Sequence, residues 1–184
     1  MIDLLKIGRI SRKTARKLSQ ITTQQKNKFL ALLAEQLKNN AEFILAANQA
    51  DIEQAQSAGM TAALIDRLLL TQGRLDSMAK DLEDLILMPD PVGEIIETKI
   101  LSSGIKASRM RVPLGVMAVI YEARPNVTVD ISALGIKSGN AVILRGGKET
   151  LASNKALVQV IQNSLEAVGI PVEAVQFIDD PDRE

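Results

Sequence analysis

Two short segments concentrate the residues whose types and spacing suit chemistry. The first, Tyr121-Glu122-Ala123-Arg124-Pro125-Asn126, holds a guanidinium able to take a carboxylate or phosphate in bidentate fashion and a neutral amide suited to a developing oxyanion. Asn126 has a second reading as the N-cap of a following helix, and Glu122 reads either as a general base or as an ion-pair partner of Arg124. The second segment, Arg145-Gly146-Gly147-Lys148-Glu149, combines two glycines that permit close backbone approach with two cations able to meet phosphate oxygens. The same residues equally suit a tight turn with solvated side chains. Neither segment carries the GxGxxG fingerprint or the GxxxxGK[ST] loop.

Both segments gain meaning from the elements that must hold them. Residues 116–121 form a continuous apolar run, which predicts a strand buried on both faces of a parallel sheet. Residues 127–138 have helical character and meet Gly139 as a stop; 141–144 read as a second strand, 150–168 as a second helix ended by Gly169 and Pro171, and 175–178 as a third strand. This βαβαβ order is half of a doubly wound sheet, in which ligands gather beyond the carboxyl ends of the strands. The two segments leave the first and second strands at those ends.

Upstream, residues 1–88 read as helices in series. Thr22-Thr23-Gln24-Gln25 has the form of a capping box, Phe29, Leu30, Leu33 and Leu37 recur at helical spacing, and Asn39-Asn40 ends the run. A helix over 41–57 stops at Gly59, and Leu75, Met78, Ala79, Leu82, Leu85 and Ile86 make a further apolar stripe that must dock on something. Pro89-Asp90-Pro91-Val92-Gly93 breaks the pattern; 94–101 and 105–112 then favour a hairpin around Ser102-Ser103-Gly104. The expected fold is α/β, with amino-terminal helices, a β-hairpin, then part of a Rossmann-like parallel sheet. Its divisions fall at 1–88, 94–112 and 113–184. A three-stranded sheet followed by Asp179-Asp180-Pro181-Asp182-Arg183-Glu184 reads as the beginning of a larger protein.

Composition removes whole classes of function. The chain has 184 residues, and 22 Lys plus Arg balance 22 Asp plus Glu, so no global charge draws it to nucleic acid or anionic membrane. With 46% apolar residues it can bury a sizeable core. Cysteine and histidine are absent, which excludes disulfides, thiol nucleophiles, Ser-His and Cys-His pairings and the commonest zinc ligands within these residues. The amino terminus lacks an apolar signal core, and no apolar run approaches the ~20 residues that span a bilayer, so the cytoplasm is the default compartment.

The runs VPLGVMAVIYEARPNVTVD at 112–130 and LGIKSGNAVILRGGKE at 134–149 resemble the gamma-glutamyl phosphate reductase family, also called glutamate-5-semialdehyde dehydrogenases, of the aldehyde dehydrogenase superfamily. The resemblance extends over the whole chain and implies a cofactor domain with helices first, an oligomerisation hairpin next, then a Rossmann-like sheet. It further implies NADPH-dependent reduction of L-glutamyl 5-phosphate to glutamate 5-semialdehyde in proline biosynthesis, with a cysteine nucleophile on a catalytic domain downstream of residue 184. The chain is then an amino-terminal piece, inactive alone, of a homo-oligomer that can associate with glutamate 5-kinase. The alternative is a free-standing, non-catalytic nucleotide-binding or regulatory module; a helical interaction protein using the 75–86 stripe is a third reading.

The resemblance also implies site roles. Superfamily relatives place a ribose-contacting Lys at the position of Arg145 and an oxyanion-stabilising Asn just after the first strand, where a gapless match gives Arg124 and Asn126 follows two residues later; either can serve. Tyr121, Glu122, Arg145, Gly146, Gly147 and Lys148 are the expected cofactor contacts. Lys148 occupies the position at which NAD-preferring relatives carry a carboxylate, which favours the extra phosphate of NADPH.

Overall fold

A computed structural model describes residues 3–180. Helices α1 (Leu4–Leu18), α2 (Thr23–Asn39), α3 (Ala41–Ser57), α4 (Ala62–Leu68) and α5 (Gln72–Leu87) come first. The capping box forms as the sequence predicts: the Thr22 hydroxyl accepts from the Gln25 amide at 3.2 Å, and the Gln25 carbonyl oxygen accepts from the Thr22 amide at 3.2 Å. Two otherwise orphaned donors at the start of α2 are thereby satisfied. Helix α3 ends before Gly59, whose φ of 73° a side chain would disfavour. Leu75, Met78, Ala79 and Leu82 of α5 are buried against α2, whose Phe29, Leu30, Leu33 and Leu37 are fully buried.

Strands β1 (Ile95–Ile100) and β2 (Lys106–Met110) form the expected antiparallel hairpin, with Thr98 opposite Ser108 and a bulge between Ile95 and Glu97. Every residue of both strands is exposed. The hairpin therefore contributes nothing to this chain's core, although Ile95, Ile96, Ile100 and Met110 lie on it.

Strands β3 (Val116–Ile120), β4 (Ala141–Arg145) and β5 (Val175–Phe177) make a parallel sheet in that order. Helices α6 (Asn126–Lys137) and α7 (Leu151–Ala167) are its crossovers, and β4 is its buried centre. The expectation that β3 is buried on both faces is wrong. It is an edge strand with Val116, Ala118 and Ile120 exposed on one face, and Ile120 retains 78% of its accessible surface. Met117 points instead toward α6, where it approaches Gly135. Continuous apolarity marks a strand that can be covered on both faces, and here only one cover is present.

Helices and sheet share one core, because α2 and α3 pack directly on α7, and α5 packs on α6. A polar joint closes their junction. The fully buried Lys26 ammonium donates to both carboxylate oxygens of Asp90, at 2.9 and 2.8 Å, and Asp90 also accepts from the Thr23 hydroxyl and the Val92 amide. The buried Lys137 of α6 donates to Asn27 Oδ1 at 2.8 Å and to the Ile86 carbonyl at 3.3 Å. Burial opposes ionisation of Asp90, but donation from Lys26, Val92 and Thr23, with the Lys26 charge, outweighs it and holds the carboxyl below its ordinary value. The proline-rich breaker is thus pinned to α2 beside α6.

Candidate functional site

The chemically suggestive residues divide between two cavities. Ile120, Tyr121, Glu122 and Ala123 line a cavity of about 870 Å³ together with Arg145, Gly146, Gly147 and Lys148; Met60, Leu64 and Leu68 form its apolar side. Arg124, Pro125 and Asn126 line a second cavity of about 340 Å³ with Asp66, Arg67, Arg74, Asp81 and Asp130. The chain passes from one to the other between Ala123 and Arg124. Helix α4 and the residues just after it form the rest of the wall, with Leu68 on the larger side and Leu69 on the smaller.

The larger cavity lies beyond the carboxyl ends of β3 and β4, where an open parallel sheet binds ligands. Its floor is set by a buried polar relay. The Tyr121 hydroxyl and Thr128 Oγ1 are 2.6 Å apart, Thr128 donates to Asn154 Oδ1 at 2.8 Å, and Asn154 donates to Thr150 Oγ1 at 3.0 Å. Burial pushes the Tyr121 hydroxyl up to about 12, against the Thr128 hydrogen bond, so it stays protonated and its ring serves as wall. Gly146 touches this relay: a Cβ there would collide with the Asn154 amide and lie 3.3 Å from the Tyr121 ring. A Cβ on Gly147 would approach the Glu149 carboxylate at 2.7 Å. Gly146 is therefore required by internal packing, whereas the Glu149 side chain can swing away from a Cβ on Gly147; the turn carries Lys148, exposed and without an ion pair among the described residues, to the cavity rim.

Helix α7, which follows this turn, already has a carboxylate at its amino terminus. The buried Asp51 of α3 accepts from the Ala152 and Ser153 amides, at 3.1 and 2.7 Å, so two of its amino-terminal donors are occupied. Asp51 was invisible to local patterning because its partners lie 101 and 102 residues away. Arg145 and Lys148 remain as the cationic side chains at the cavity.

In the smaller cavity the sequence expectations change in detail. Asn126 is not an N-cap. Pro125 takes that position with helical φ and ψ of −60° and −33°, and helix-type bonds already run from Val127 to the Arg124 carbonyl and from Thr128 to that of Pro125. Asn126 consequently sits inside the first turn and donates to Asp130 Oδ2, one turn on, at 3.1 Å. Glu122 and Arg124 form no ion pair; the Arg124 amide bonds the Glu122 carbonyl at 2.8 Å, and the side chains line different cavities. Asp130 escaped sequence reading, although its spacing of four from Asn126 was a usable signal. Burial raises its carboxyl above the ordinary value, Asn126 opposes this, and the charge of Asp81 adds to it.

Among the described residues no helix is long and apolar enough to cross a membrane, and no cluster of three or more acidic, histidine or cysteine side chains is placed to hold a metal. No protein-family model matches the chain. It is 52% identical over 183 residues to the gamma-glutamyl phosphate reductase of Vibrio vulnificus, covering all of this chain and 44% of that protein. The crystal structure of gamma-glutamyl phosphate reductase from Thermotoga maritima matches with a TM-score of 0.96 at 42% identity, over 99% of this chain and 44% of the other. An acetylating aldehyde dehydrogenase from Geobacillus thermoglucosidasius shares the fold at 16% identity, with a TM-score of 0.71 over all of this chain and 39% of the other. The chain thus spans less than half the length of the proteins it matches. Identity along the entire chain and close agreement of fold make it a relative of gamma-glutamyl phosphate reductases, built on part of an aldehyde dehydrogenase-like fold.

Proposed function

We propose that this chain is the amino-terminal part of an NADPH-dependent reductase that converts L-glutamyl 5-phosphate to L-glutamate 5-semialdehyde and phosphate. One observation carries the reading: the conjunction of two cations, two glycines and an aromatic wall beyond the ends of β3 and β4, in a relative of such reductases. The residues fit a nicotinamide dinucleotide. The cavity is of small-molecule size, and Gly146 and Gly147 present no side chain on its wall. Arg145 would meet the adenosine ribose and Lys148 the 2′-phosphate, while Tyr121 and Glu122 line the opposite side. When bound, the cofactor supplies hydride; this chain binds and orients it, and Asn126, with Arg124 beside it, faces the oxyanion from the adjoining cavity.

The remaining parts of the reading follow the same relatives. The nucleophilic cysteine belongs to a downstream domain, residues 1–88 and 113–184 serve the cofactor domain, and the hairpin at 94–112 joins subunits of a cytoplasmic homo-oligomer. Association with glutamate 5-kinase is part of the proposal.

The test is to fuse the chain to the remainder of the Vibrio vulnificus relative. Glutamate 5-semialdehyde, phosphate and NADP⁺ are then supplied, and formation of NADPH is followed by absorbance. The fusion should turn over and the 184-residue chain alone should not, because without cysteine it cannot form a thioester intermediate. A folded fusion with no turnover would sink the reductase reading and favour the non-catalytic module.

A further inference from the structure

The smaller cavity contains an imbalance that the fold does not resolve. Arg74 is committed to the chain, with Nη2 2.8 Å from Asp66 Oδ1 and Nη1 bound to the Asp66 and Leu69 carbonyls. Among the described residues, Arg67 and Arg124, on the same cavity, make no ion pair. Asp130 receives only the neutral Asn126 amide, and no cation pairs with Asp81. Unpaired charges of both signs thus face one small cavity without meeting each other. A surface arrangement of this kind has no stabilising purpose, since exposed pairs that do form contribute only about 0–1 kcal/mol.

A ligand carrying both charges would complete the set. We propose that this cavity receives the α-amino-acid end of the substrate, with Asp130 taking the ammonium and Arg67 and Arg124 the carboxylate. For the identity of that amino acid, glutamate, the proposal rests on the reductase reading. Its placement follows from the wall between the cavities: Asn126, which donates to Asp130, and Arg124 immediately follow the segment Tyr121 to Ala123 that lines the larger cavity. The cavity volume of about 340 Å³ falls within the range of small-molecule sites, about 300–1,000 Å³. Burial leaves the Asp130 carboxylate short of compensation, with one neutral donor to it, and an arriving ammonium supplies what is missing.

The 184-residue chain can be tested directly by titration, following its backbone amides by NMR. The probes are L-glutamate, whose γ-carboxylate stands in for the acyl phosphate, glutarate, which lacks the amine, 4-aminobutyrate, which lacks the α-carboxylate, and separately NADP⁺. L-glutamate should shift amides around Arg67, Asp81, Arg124 and Asp130 and bind about 10-fold more tightly than either analogue, the scale of one charge-assisted contact. Asp130→Asn should remove the advantage over glutarate while leaving glutarate binding in place, and Arg124→Gln should weaken L-glutamate and glutarate together. Equal responses to L-glutamate and glutarate, or none from L-glutamate at these residues, would overturn the proposal. NADP⁺ reports separately at residues 145–148: its response without selection of L-glutamate leaves the reductase reading standing and the amino-acid site refuted, whereas the reverse pattern refutes the cofactor site alone.

Discussion

The two polar clusters of this chain both combine aspartates with cationic side chains, and they solve opposite problems. Around Asp90 every group is answered: Lys26 and Thr23 donate to its carboxylate, the Val92 amide joins them, and Lys137 is held by Asn27 and Ile86. Around Asp130 only Arg74 and Asp66 pair, while Arg67, Arg124, Asp81 and Asp130 line the cavity with no ion pair among the described residues. A saturated buried network specifies how elements dock, because any other arrangement leaves a charge uncompensated in low dielectric. An open, unsaturated one retains binding capacity for something outside the chain. Charge content alone does not separate structure from function; closure does.

The sharpest way to break this contrast is to open the closed cluster. Asp90→Ala leaves the buried Lys26 ammonium without its partner and should lower stability by about 3–5 kcal/mol, read as a fall in the denaturant midpoint. The pH dependence has a fixed sign. The Asp90 carboxyl is held below its unfolded value, so its contribution is present above that value and is lost as pH falls through the lower, folded one. The variant should therefore unfold with a flatter acid limb than the parent. Equal midpoints would mean that the joint is as dispensable as a surface pair.

The next effect belongs to the open cluster. If Asn126 donates to a developing oxyanion, Asn126→Ala in the fusion enzyme should lower kcat by about 10²–10³-fold. Stability should change little, because Asn126 caps nothing: Pro125 holds that position and the Asn126 amide reaches only Asp130. A loss of midpoint without a loss of rate would return the residue to a structural role.

A smaller effect is expected at the rim of the larger cavity, where the cofactor is proposed to bind. Lys148→Glu should lower the NADPH to NADH ratio of kcat/KM by about 10–100-fold, as an attraction to the 2′-phosphate becomes a repulsion. The side chain is exposed and makes no ion pair, so folding should be affected by no more than about 0.5 kcal/mol. An unchanged ratio would show that Lys148 points away from the cofactor.

These sites differ in how much of them was legible in the sequence. The capping box at Thr22, the end of α3 before Gly59 and the βαβαβ order are local or periodic signals, and they survive folding because few distant residues contest them. The motifs at 112–149 were specific enough to identify the family that the comparisons bear out. Two local inferences failed for tertiary reasons: β3 lies at an edge where one cover is missing, and α6 begins a residue early, at Asn126, after a proline already in helical conformation. The Asp90 joint and the charged cavity were out of reach. Lys26 and Asp90 are 64 residues apart, and Arg67 lines the same cavity as Asp130 only because α4, α5 and α6 converge there. Periodicity reports which face of a helix is apolar, and it is silent on which polar residues of different helices end up together.

The smallest predicted effect separates the clusters by sign. Asp90 contributes stability when ionised, whereas Asp130 should oppose folding when ionised, because burial lifts its carboxyl above the unfolded value more than Asn126 can offset. The folded chain then binds more proton than the unfolded one between the ordinary carboxylate value of 3.8 and the raised one, so stability falls as pH rises through that window and stays lower above it. Asp130→Asn removes the charge while its side-chain oxygen can still accept from Asn126. At neutral pH the midpoint should therefore rise, by about 0.5 kcal/mol in free energy, and the gain should vanish in acid, where the parent is protonated as well. A group retained at the expense of stability is one whose use lies in binding. If Asp130→Asn instead destabilises the chain at neutral pH, the carboxylate is satisfied by the fold, and the cavity around it is closed in the same sense as the joint at Asp90.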